Sequence, residues 1–270
     1  MPTPPKAAVP TESEPTAGRD VVGAVLKACT LLGHFSAERP VWTLNDLTTA
    51  SGMNKTTVFR LMATLIQAGW VDRTDEGAYR VAMPVFEIGS AALAKLDIRS
   101  AAKPFMSELA TAFGNTAYLM VPAEQGAVCI DLLEGRNSLV VAGINVGSVM
   151  PYHAAAGPTV MLAHSKALQD KWLTDSLPSI TDRTITDAER LAEHLAEIRE
   201  AGYSLSHSDY LPGVAAVAAP ILGRDGSVVA SISVGGRAEE FEGEALAAKI
   251  ERVCDAGARI TRIVQALPRG

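Results

Sequence analysis

The chain has 270 residues, of which 48% are hydrophobic and 20% charged, and its formal net charge is −6. This length suffices for one large domain or two modest ones, and the composition excludes a protein that is disordered throughout. The acidic balance argues weakly against a nucleic-acid partner, although a local basic patch can exist on a protein that is acidic overall.

The three cysteines, Cys29, Cys129 and Cys254, are widely spaced and form no Cys-x-x-Cys pair. Their odd number argues against a disulfide framework or a zinc site and favours reduced thiols in a cytoplasmic protein. The sequence shows neither a signal peptide nor an apolar run long enough to cross a bilayer. We therefore expect a soluble protein without a membrane partner.

The first 17 residues contain five prolines and little apolar bulk, which predicts a disordered tail over residues 1–17. After this tail, Asp20 is a suitable N-cap for a helix that runs to about His34. The predicted buried face of this helix consists of Val21, Val25, Ala28, Leu32 and Phe35.

Residues 42–80 have the order of a winged helix-turn-helix, with a short helix, a tight turn, a second helix and a hairpin. Thr43 is the predicted cap of the first helix, with Asp46 at the third position of a capping box. Gly52 supplies the turn and Asn54 caps the second helix. The predicted core residues of the two helices are Leu44, Leu47, Ala50, Val58, Leu61, Met62, Leu65 and Ile66.

The second helix, which Gly69 ends, presents a face without acidic residues, because none occurs between Asp46 and Asp72. Phe59 lies between the two faces and is expected to pack in the core. A hairpin over residues 70–81 follows as a wing. Basic and hydroxyl side chains suit contacts to phosphates and base edges. The predicted contacts to double-stranded operator DNA are Thr43, Asn54, Lys55, Thr56, Thr57, Arg60, Arg73 and Arg80. If the motif served only protein contacts, binding would be insensitive to salt.

Residues 18–83 thus form the predicted DNA-binding domain, and residues 84–97 form a linker helix that is apolar over much of its circumference. We expect this helix to join the domains and to pack on a second subunit, which suits a dimer that reads a two-fold operator. For residues 98–270 the pattern predicts an α+β domain with a mostly antiparallel sheet covered by helices. The predicted helices cover residues 98–113, 154–165, 187–201 and 242–267, and the predicted strands cover residues 116–121, 127–133, 139–144, 203–205, 214–222 and 227–234.

Two stretches of the second domain are almost uncharged. Residues 137–165 contain no Asp, Glu, Lys or Arg, and residues 201–223 contain only Asp209. Both an Ala-rich core and a neutral pocket for a small ligand are consistent with this pattern. In the second interpretation, backbone N–H groups at the start of the helix after Ala154 bind a carboxylate without a lysine.

An enzyme is the alternative class. Ser206, His207 and Asp209 place a hydroxyl, an imidazole and a carboxylate close in sequence, but a catalytic triad is defined by its spatial arrangement. His153, His207 and Asp209 also offer ligands for a metal, although histidines more often have a structural role. The sequence contains no nucleophile elbow, P-loop or dinucleotide-binding motif. We therefore predict no catalytic residues, no metal site and no cofactor.

Residues 19–265 resemble the IclR family of bacterial transcription regulators. Residues 55–61 (KTTVFRL) are similar to the family's recognition helix, whose usual form is K-S-T-V-x-R-L. Residues 151–154 (PYHA) and 161–163 (MLA) are similar to the strand-to-helix segment around its effector site. A more specific match is the spacing of Gly202, Ser206, Asp209, Ala216, Val217, Ala218 and Ile221, followed by Gly226 and residues 231–234.

The resemblance implies a winged helix-turn-helix joined by a linker helix to a GAF-like α/β effector-binding domain, assembled as homodimers or dimers of dimers. It also implies a small organic acid effector, often aromatic or a central metabolite. The implied effector contacts are Met150, Ala156, Gly157, Ser206, Val214, Ala216, Ser233 and Gly235. The sequence departs from the family where Asp209 replaces a common Glu, where Leu222-Gly223 replaces an aromatic followed by Asp or Asn, and where Pro158-Thr159 replaces Gly-Lys.

We therefore expect a ligand-responsive DNA-binding transcription regulator, a repressor, without catalytic activity. Effector binding in the second domain would favour one arrangement of the dimer and so change operator affinity through linkage. The alternative is an enzyme that transforms a small molecule and carries an accessory DNA-binding domain.

Overall fold

The computed structural model describes residues 21–36, 39–94, 98–136, 144–174 and 176–266, and for residues 90–94 the backbone alone. The chain divides between Ala94 and Lys95 into two compact units. Several predictions fall outside the described residues, namely the tail over residues 1–17, the cap Asp20, most of the strand over residues 139–144, residues 95–97 of the linker and the last residue of the final helix.

The described part of the N-terminal unit consists of α1 (Gly23–Leu32), β1 (Val41–Trp42), α2 (Leu44–Ser51), α3 (Lys55–Gln67), β2 (Val71–Arg73), β3 (Tyr79–Val81) and α4 (Met83–Ala94). β2 and β3 form the predicted hairpin. β1, which the sequence pattern did not reveal, pairs with β3 to give the antiparallel order β1-β3-β2. Gly52 turns the chain between α2 and α3 in the left-handed conformation, as predicted.

One hydrophobic core joins α1, α2 and α3 to the hairpin. Its most deeply buried side chains are Leu31, Leu47, Val58, Met62, Val71 and Tyr79. The predicted row of core residues on α3 is therefore correct at its centre. It is wrong at its edges, where Phe59 is 49% and Ile66 36% exposed, because this side of α3 faces solvent instead of another described element.

The predicted buried face of α1 is only half correct. Ala28, Leu32 and Phe35 pack against the core around Leu31, which is fully buried. Val21 and Val25 are more than half exposed, and the helix begins at Gly23 without a side-chain cap. The first turn of α1 therefore leaves apolar side chains uncovered within the N-terminal unit.

Both predicted caps of the helix-turn-helix are present. The Thr43 hydroxyl accepts a hydrogen bond from the Asp46 backbone N–H at 3.2 Å, and the Asn54 side-chain oxygen accepts one from the Thr57 N–H at 2.8 Å. The carboxylate of Asp46 pairs with Arg39 at 2.7 Å, so the predicted capping box is wrong in its second half. Each cap satisfies a backbone donor that the first turn of a helix leaves free.

We expect Asn54→Ala to lower the free energy of unfolding by about 1 kcal/mol, because the Thr57 N–H loses its acceptor. Asn54→Asp retains a capping oxygen and should unfold close to the wild-type midpoint. Urea denaturation of both variants measures the difference, with Asn45→Ala, an exposed position inside α2, as the control. Equal midpoints for Asn54→Ala and Asn45→Ala would contradict the capping role.

The described part of the C-terminal unit consists of α5 (Ile98–Phe113), β4 (Thr116–Ala123), β5 (Gly126–Leu133), β6 (Val149–Met150), α6 (Ala156–Ala163), α7 (Lys166–Trp172), α8 (Ala188–Ala201), β7 (Ser204–His207), β8 (Val214–Leu222), β9 (Val228–Arg237) and α9 (Gly243–Ala266). The six strands form one antiparallel sheet in the order β6-β5-β4-β9-β8-β7. This arrangement confirms the predicted α+β fold. The short elements β6 and α7 were not predicted.

Helices cover both faces of this sheet. Successive residues of a strand point to opposite faces, and Ser231 and its cross-strand partner Met120 point toward Gly157 of α6. Ala219 pairs with the residue after Ser231 and points the other way, toward Gly257 of α9. Within the described residues, no helix is both long and apolar enough to cross a membrane.

Candidate functional sites

The exposed face of α3 is basic and carries small hydroxyl groups. Lys55, Thr56 and Arg60 are exposed and Thr57 is half-buried. Within the described residues, neither Lys55 nor Arg60 forms an ion pair, so both cations face solvent. Since α3 contains no acidic residue, nothing on this helix repels a phosphate.

The wing places two arginines beside this helix, and both have contacts of their own. The Arg73 Nε donates to the carbonyl of Gly77 at 3.3 Å, and its guanidinium lies near the Tyr79 ring. Arg80 lies 3.6 Å from a carboxylate oxygen of Asp72, with both side chains more than half exposed. A pair of this kind contributes little to stability, so it can exchange for a phosphate contact.

The C-terminal unit contains an apolar cavity of about 40 Å³ between the sheet and α6. We call it the apolar cavity. All eight residues predicted to contact an effector lie in its wall. The wall consists of Tyr118, Met120, Ile144, Met150, Ala155, Ala156, Gly157, Pro158, Ser206, Tyr210, Leu211, Val214, Ala216, Ser233 and Gly235.

The polar groups of the apolar cavity are few. The polar side chains in its wall are those of Ser206, Ser233, Tyr118 and Tyr210. The first turn of α6, in which the N–H groups of Ala156 and Gly157 have no acceptor within the helix, also lines it. Pro158, the third residue of α6, has no N–H to offer. This wall can therefore hold the apolar body of a ligand and donate hydrogen bonds to one anionic end.

Asp209, which the prediction did not place among the effector contacts, organises this wall. Its carboxylate accepts one hydrogen bond from the Ser206 hydroxyl and another, at 3.1 Å, from the Ala155 N–H at the start of α6. One carboxylate therefore ties the end of β7 to the beginning of α6. The family resemblance at this position was the available sequence signal.

Gly157 lets α6 approach the sheet closely. A Cβ atom at this position would lie 3.1 Å from the sulfur of Met120 and 3.2 Å from the Ser231 hydroxyl, closer than ordinary contact. A larger residue would require the Met120 or Ser231 side chain, or α6 itself, to shift by a few tenths of an ångström. The glycine therefore permits close packing between α6 and the sheet in the wall of the apolar cavity.

Ala155, immediately before α6, has φ 66° and ψ 149°, a conformation that residues other than glycine rarely adopt. We expect Ala155→Gly to raise the free energy of unfolding by about 1 kcal/mol, because it removes this strain. Thermal unfolding measures the effect. Ala192→Gly in the interior of α8 is the matched control and should destabilise by about 1 kcal/mol. A loss of stability in both variants would show that the backbone of Ala155 is not strained.

The residues that suggested an enzyme do not form a catalytic arrangement. Ser206 donates directly to Asp209, while the Nδ1 of His207 lies 3.4 Å from Arg183, so the imidazole does not bridge the hydroxyl and the carboxylate as a triad requires. Burial raises the pKa of the Cys129 thiol to about 12, which keeps it protonated and unreactive at neutral pH. Within the described residues, no group of His, Cys, Asp and Glu side chains is arranged to hold a metal ion.

Comparison with protein families gives two matches. A model for the C-terminal domain of the bacterial transcriptional regulator IclR matches residues 90–262, and a model for the IclR helix-turn-helix domain matches residues 24–75. The regulator KipR of Bacillus subtilis (strain 168) is 30% identical, over 88% of this chain and 95% of its own. The transcriptional repressor AllR of Escherichia coli (strain K12) is 27% identical over 91% of each chain.

Solved structures share the whole fold. An IclR transcriptional regulator from Silicibacter sp. TM1040 superposes with a TM-score of 0.81 at 29% identity, over 91% of this chain and 98% of its own. An IclR homologue from Microbacterium hydrocarbonoxydans, complexed with 4-hydroxybenzoate, gives a TM-score of 0.77 at 22% identity, over 90% of this chain and 100% of its own. These relatives are regulators and not enzymes, as the sequence predicted. The chain therefore belongs to the IclR family of bacterial transcriptional regulators.

Proposed function

We propose that this regulator is a repressor whose affinity for operator DNA is controlled by a small organic acid bound in the apolar cavity. The observation that carries the proposal is the convergence of the eight predicted effector residues on this cavity, at the start of α6. The family membership supplies the helix-turn-helix through which an effector can act.

The proposed DNA contacts follow from the exposed face of α3. Lys55 and the backbone at the start of the helix would bind phosphate, while Arg60 would reach base edges in the major groove. Thr43, Asn54, Thr56 and Thr57 would add contacts to the DNA backbone near the two helix N-termini. Arg73 and Arg80 would bind phosphate or enter the minor groove from the wing.

An aromatic carboxylate fits the chemistry of the apolar cavity. Its ring would contact Met150, Val214 and Ala216, and its carboxylate would accept hydrogen bonds from Ser233 and from the first N–H groups of α6. A cavity of about 40 Å³ has room for only a few water molecules. A ligand the size of benzoate must therefore displace part of the wall, which gives binding a route to change the protein's conformation.

We propose that the regulator acts as a homodimer or a dimer of dimers. In the N-terminal unit, Met83, Phe86 and Ile88 of α4 are each more than half exposed, as are Leu26 of α1 and Val22 immediately before this helix. Large apolar side chains left uncovered on one unit suit a contact with a second copy. Residues 84–97 would then serve as the linker that carries a change in the effector domain to the paired recognition helices.

The proposal is tested by titrating 4-hydroxybenzoate, the compound bound by the Microbacterium homologue, into the full-length protein. A rise in melting temperature together with release of an operator fragment selected from the source genome supports the proposal. Other small organic acids form the remaining arms of the screen. If none changes both melting temperature and operator affinity, the proposed control is wrong. Operator binding that does not weaken with salt would instead favour a role in protein contacts.

A further inference from the structure

A second cavity of about 150 Å³ lies next to the apolar cavity and differs from it in chemistry. We call it the polar cavity. Polar and charged side chains from four parts of the C-terminal unit provide most of its wall. The wall consists of His153, Thr159, Arg183, Ile185, His194, Ser204, Leu205, His207 and Asp209.

The polar cavity contains hydrogen-bonding groups that the protein itself leaves unused. His153 is 95% buried, and while its Nε2 lies 2.9 Å from the carbonyl of Pro178, its Nδ1 has no hydrogen-bond partner among the described residues. A buried nitrogen without a partner costs free energy unless a ligand or water satisfies it. In the neutral ring the contact with Pro178 places the proton on Nε2, so Nδ1 is an acceptor that suits the O–H of a hydrogen phosphate or of a protonated carboxyl group. The Arg183 guanidinium contacts the His207 ring but no carboxylate within the described residues.

The loop that carries Arg183 is held in place beside the cavity. The Thr181 hydroxyl donates to the carbonyl of Ser208 at 2.8 Å, and the Thr184 hydroxyl donates to the carbonyl of Asp209 at 2.7 Å. These two hydrogen bonds fasten the loop on both sides of Arg183. The guanidinium is thus presented to the cavity by a fixed backbone, as a binding site requires.

Asp209 is the one acidic residue in the wall of the polar cavity, and both of its oxygens already accept hydrogen bonds. Its two carboxylate oxygens accept hydrogen bonds from Ser206 and from the Ala155 N–H. Because both donors are neutral, Asp209 keeps its negative charge, and an anion in the polar cavity is attracted by the guanidinium of Arg183 and by the hydroxyl groups of the wall. These groups suit the oxygens of a phosphate or a carboxylate.

We infer that the polar cavity binds a small oxyanion, and that this ligand and the effector influence each other through Asp209. The coupling part rests on the proposed function of the apolar cavity, whereas the binding part does not. Asp209 borders the polar cavity and holds Ser206 and Ala155, which border the apolar cavity. A ligand that moves Asp209 therefore changes the wall against which the effector binds, and thermodynamic linkage makes the influence reciprocal.

Binding is tested on the full chain with inorganic phosphate and succinate as probes, at constant ionic strength maintained with sodium chloride. We expect one or both probes to raise the melting temperature and to give a saturable heat in calorimetry. Arg183→Gln should weaken the apparent affinity at least about tenfold, because it removes the permanent charge of the site. Arg190→Gln, an exposed arginine of α8 outside the cavity wall, should bind like the wild type.

The outcomes separate the inference from the proposed function. If phosphate or succinate binds and Arg183→Gln weakens it, the oxyanion site is correct even if 4-hydroxybenzoate fails to bind. The coupling is correct if the oxyanion changes the affinity for 4-hydroxybenzoate at least about threefold in the wild type but not in Arg183→Gln. An unchanged affinity for 4-hydroxybenzoate in the wild type overturns the coupling. Absence of saturable binding, equal binding by Arg183→Gln, or stabilisation by Zn²⁺ alone would overturn the oxyanion site.

Discussion

Arg60→Ala is expected to abolish specific operator binding while leaving the fold intact. Arg60 is exposed on the acid-free face of α3 and forms no ion pair within the described residues, so its removal costs the free protein little. A bidentate arginine contact to a guanine contributes about 1–3 kcal/mol per site. A dimer that loses two such contacts should bind its operator at least about thirtyfold more weakly.

An electrophoretic mobility shift assay with the operator fragment measures this loss, and circular dichroism verifies the fold. Arg190→Ala removes the same charge from the C-terminal unit and should bind DNA with wild-type affinity. Weak, salt-dependent binding to any DNA sequence should persist in Arg60→Ala because Lys55 and the wing remain. Wild-type operator affinity in Arg60→Ala would remove this residue from the recognition surface.

Ser233→Leu is expected to eliminate the response to effector while preserving operator binding. Ser233 is 4% exposed on β9 and its hydroxyl lies in the wall of the apolar cavity, on the same face of the sheet as Gly157. A leucine side chain would occupy the space that the ligand needs. The extra volume should also cost about 1–3 kcal/mol of stability through overpacking.

Calorimetry and operator release measure this effect together. Ser233→Ala retains the space and removes only the hydroxyl, so it should bind the effector roughly tenfold more weakly. Ser107→Leu, an exposed position on α5, controls for the added leucine and should respond normally. Effector affinity that is unchanged in Ser233→Leu would show that the ligand binds elsewhere. Because the N-terminal unit has its own core, a moderate loss of stability in the C-terminal unit should leave operator binding measurable.

Local sequence signals predicted the helix-turn-helix well because its determinants are local. Thr43 and Asn54 cap helices through donors three residues away, and Gly52 adopts the conformation that the turn requires. The errors at Phe59 and Ile66 have a tertiary cause. The periodicity of apolar residues shows which side of a helix is buried. How many residues on that side are buried depends on which neighbouring elements cover the helix.

Predicting the two cavities requires information about contacts between residues that are distant in the sequence. Tyr118 lies opposite Ser233 in the pairing of β4 with β9, and no pattern within either strand specifies that register. The eight predicted effector residues came from family resemblance instead of periodicity. For the polar cavity, the residue types in the sequence grouped His153, His207 and Asp209, but as ligands for a metal, and nothing in the sequence placed Arg183 beside them, because these residues come from separate segments that only the folded chain brings together.

The small volume of the apolar cavity has a consequence for the dose at which the regulator would respond. If the closed wall predominates in the free protein, the apparent dissociation constant equals the intrinsic constant divided by the fraction of open molecules. A wall that opens once in a hundred times would therefore raise the half-saturating concentration about a hundredfold. Under the proposed function, the packing of Gly157 against the sheet would thus help to set a threshold, so that traces of the acid would leave the operator occupied and only its accumulation would release it.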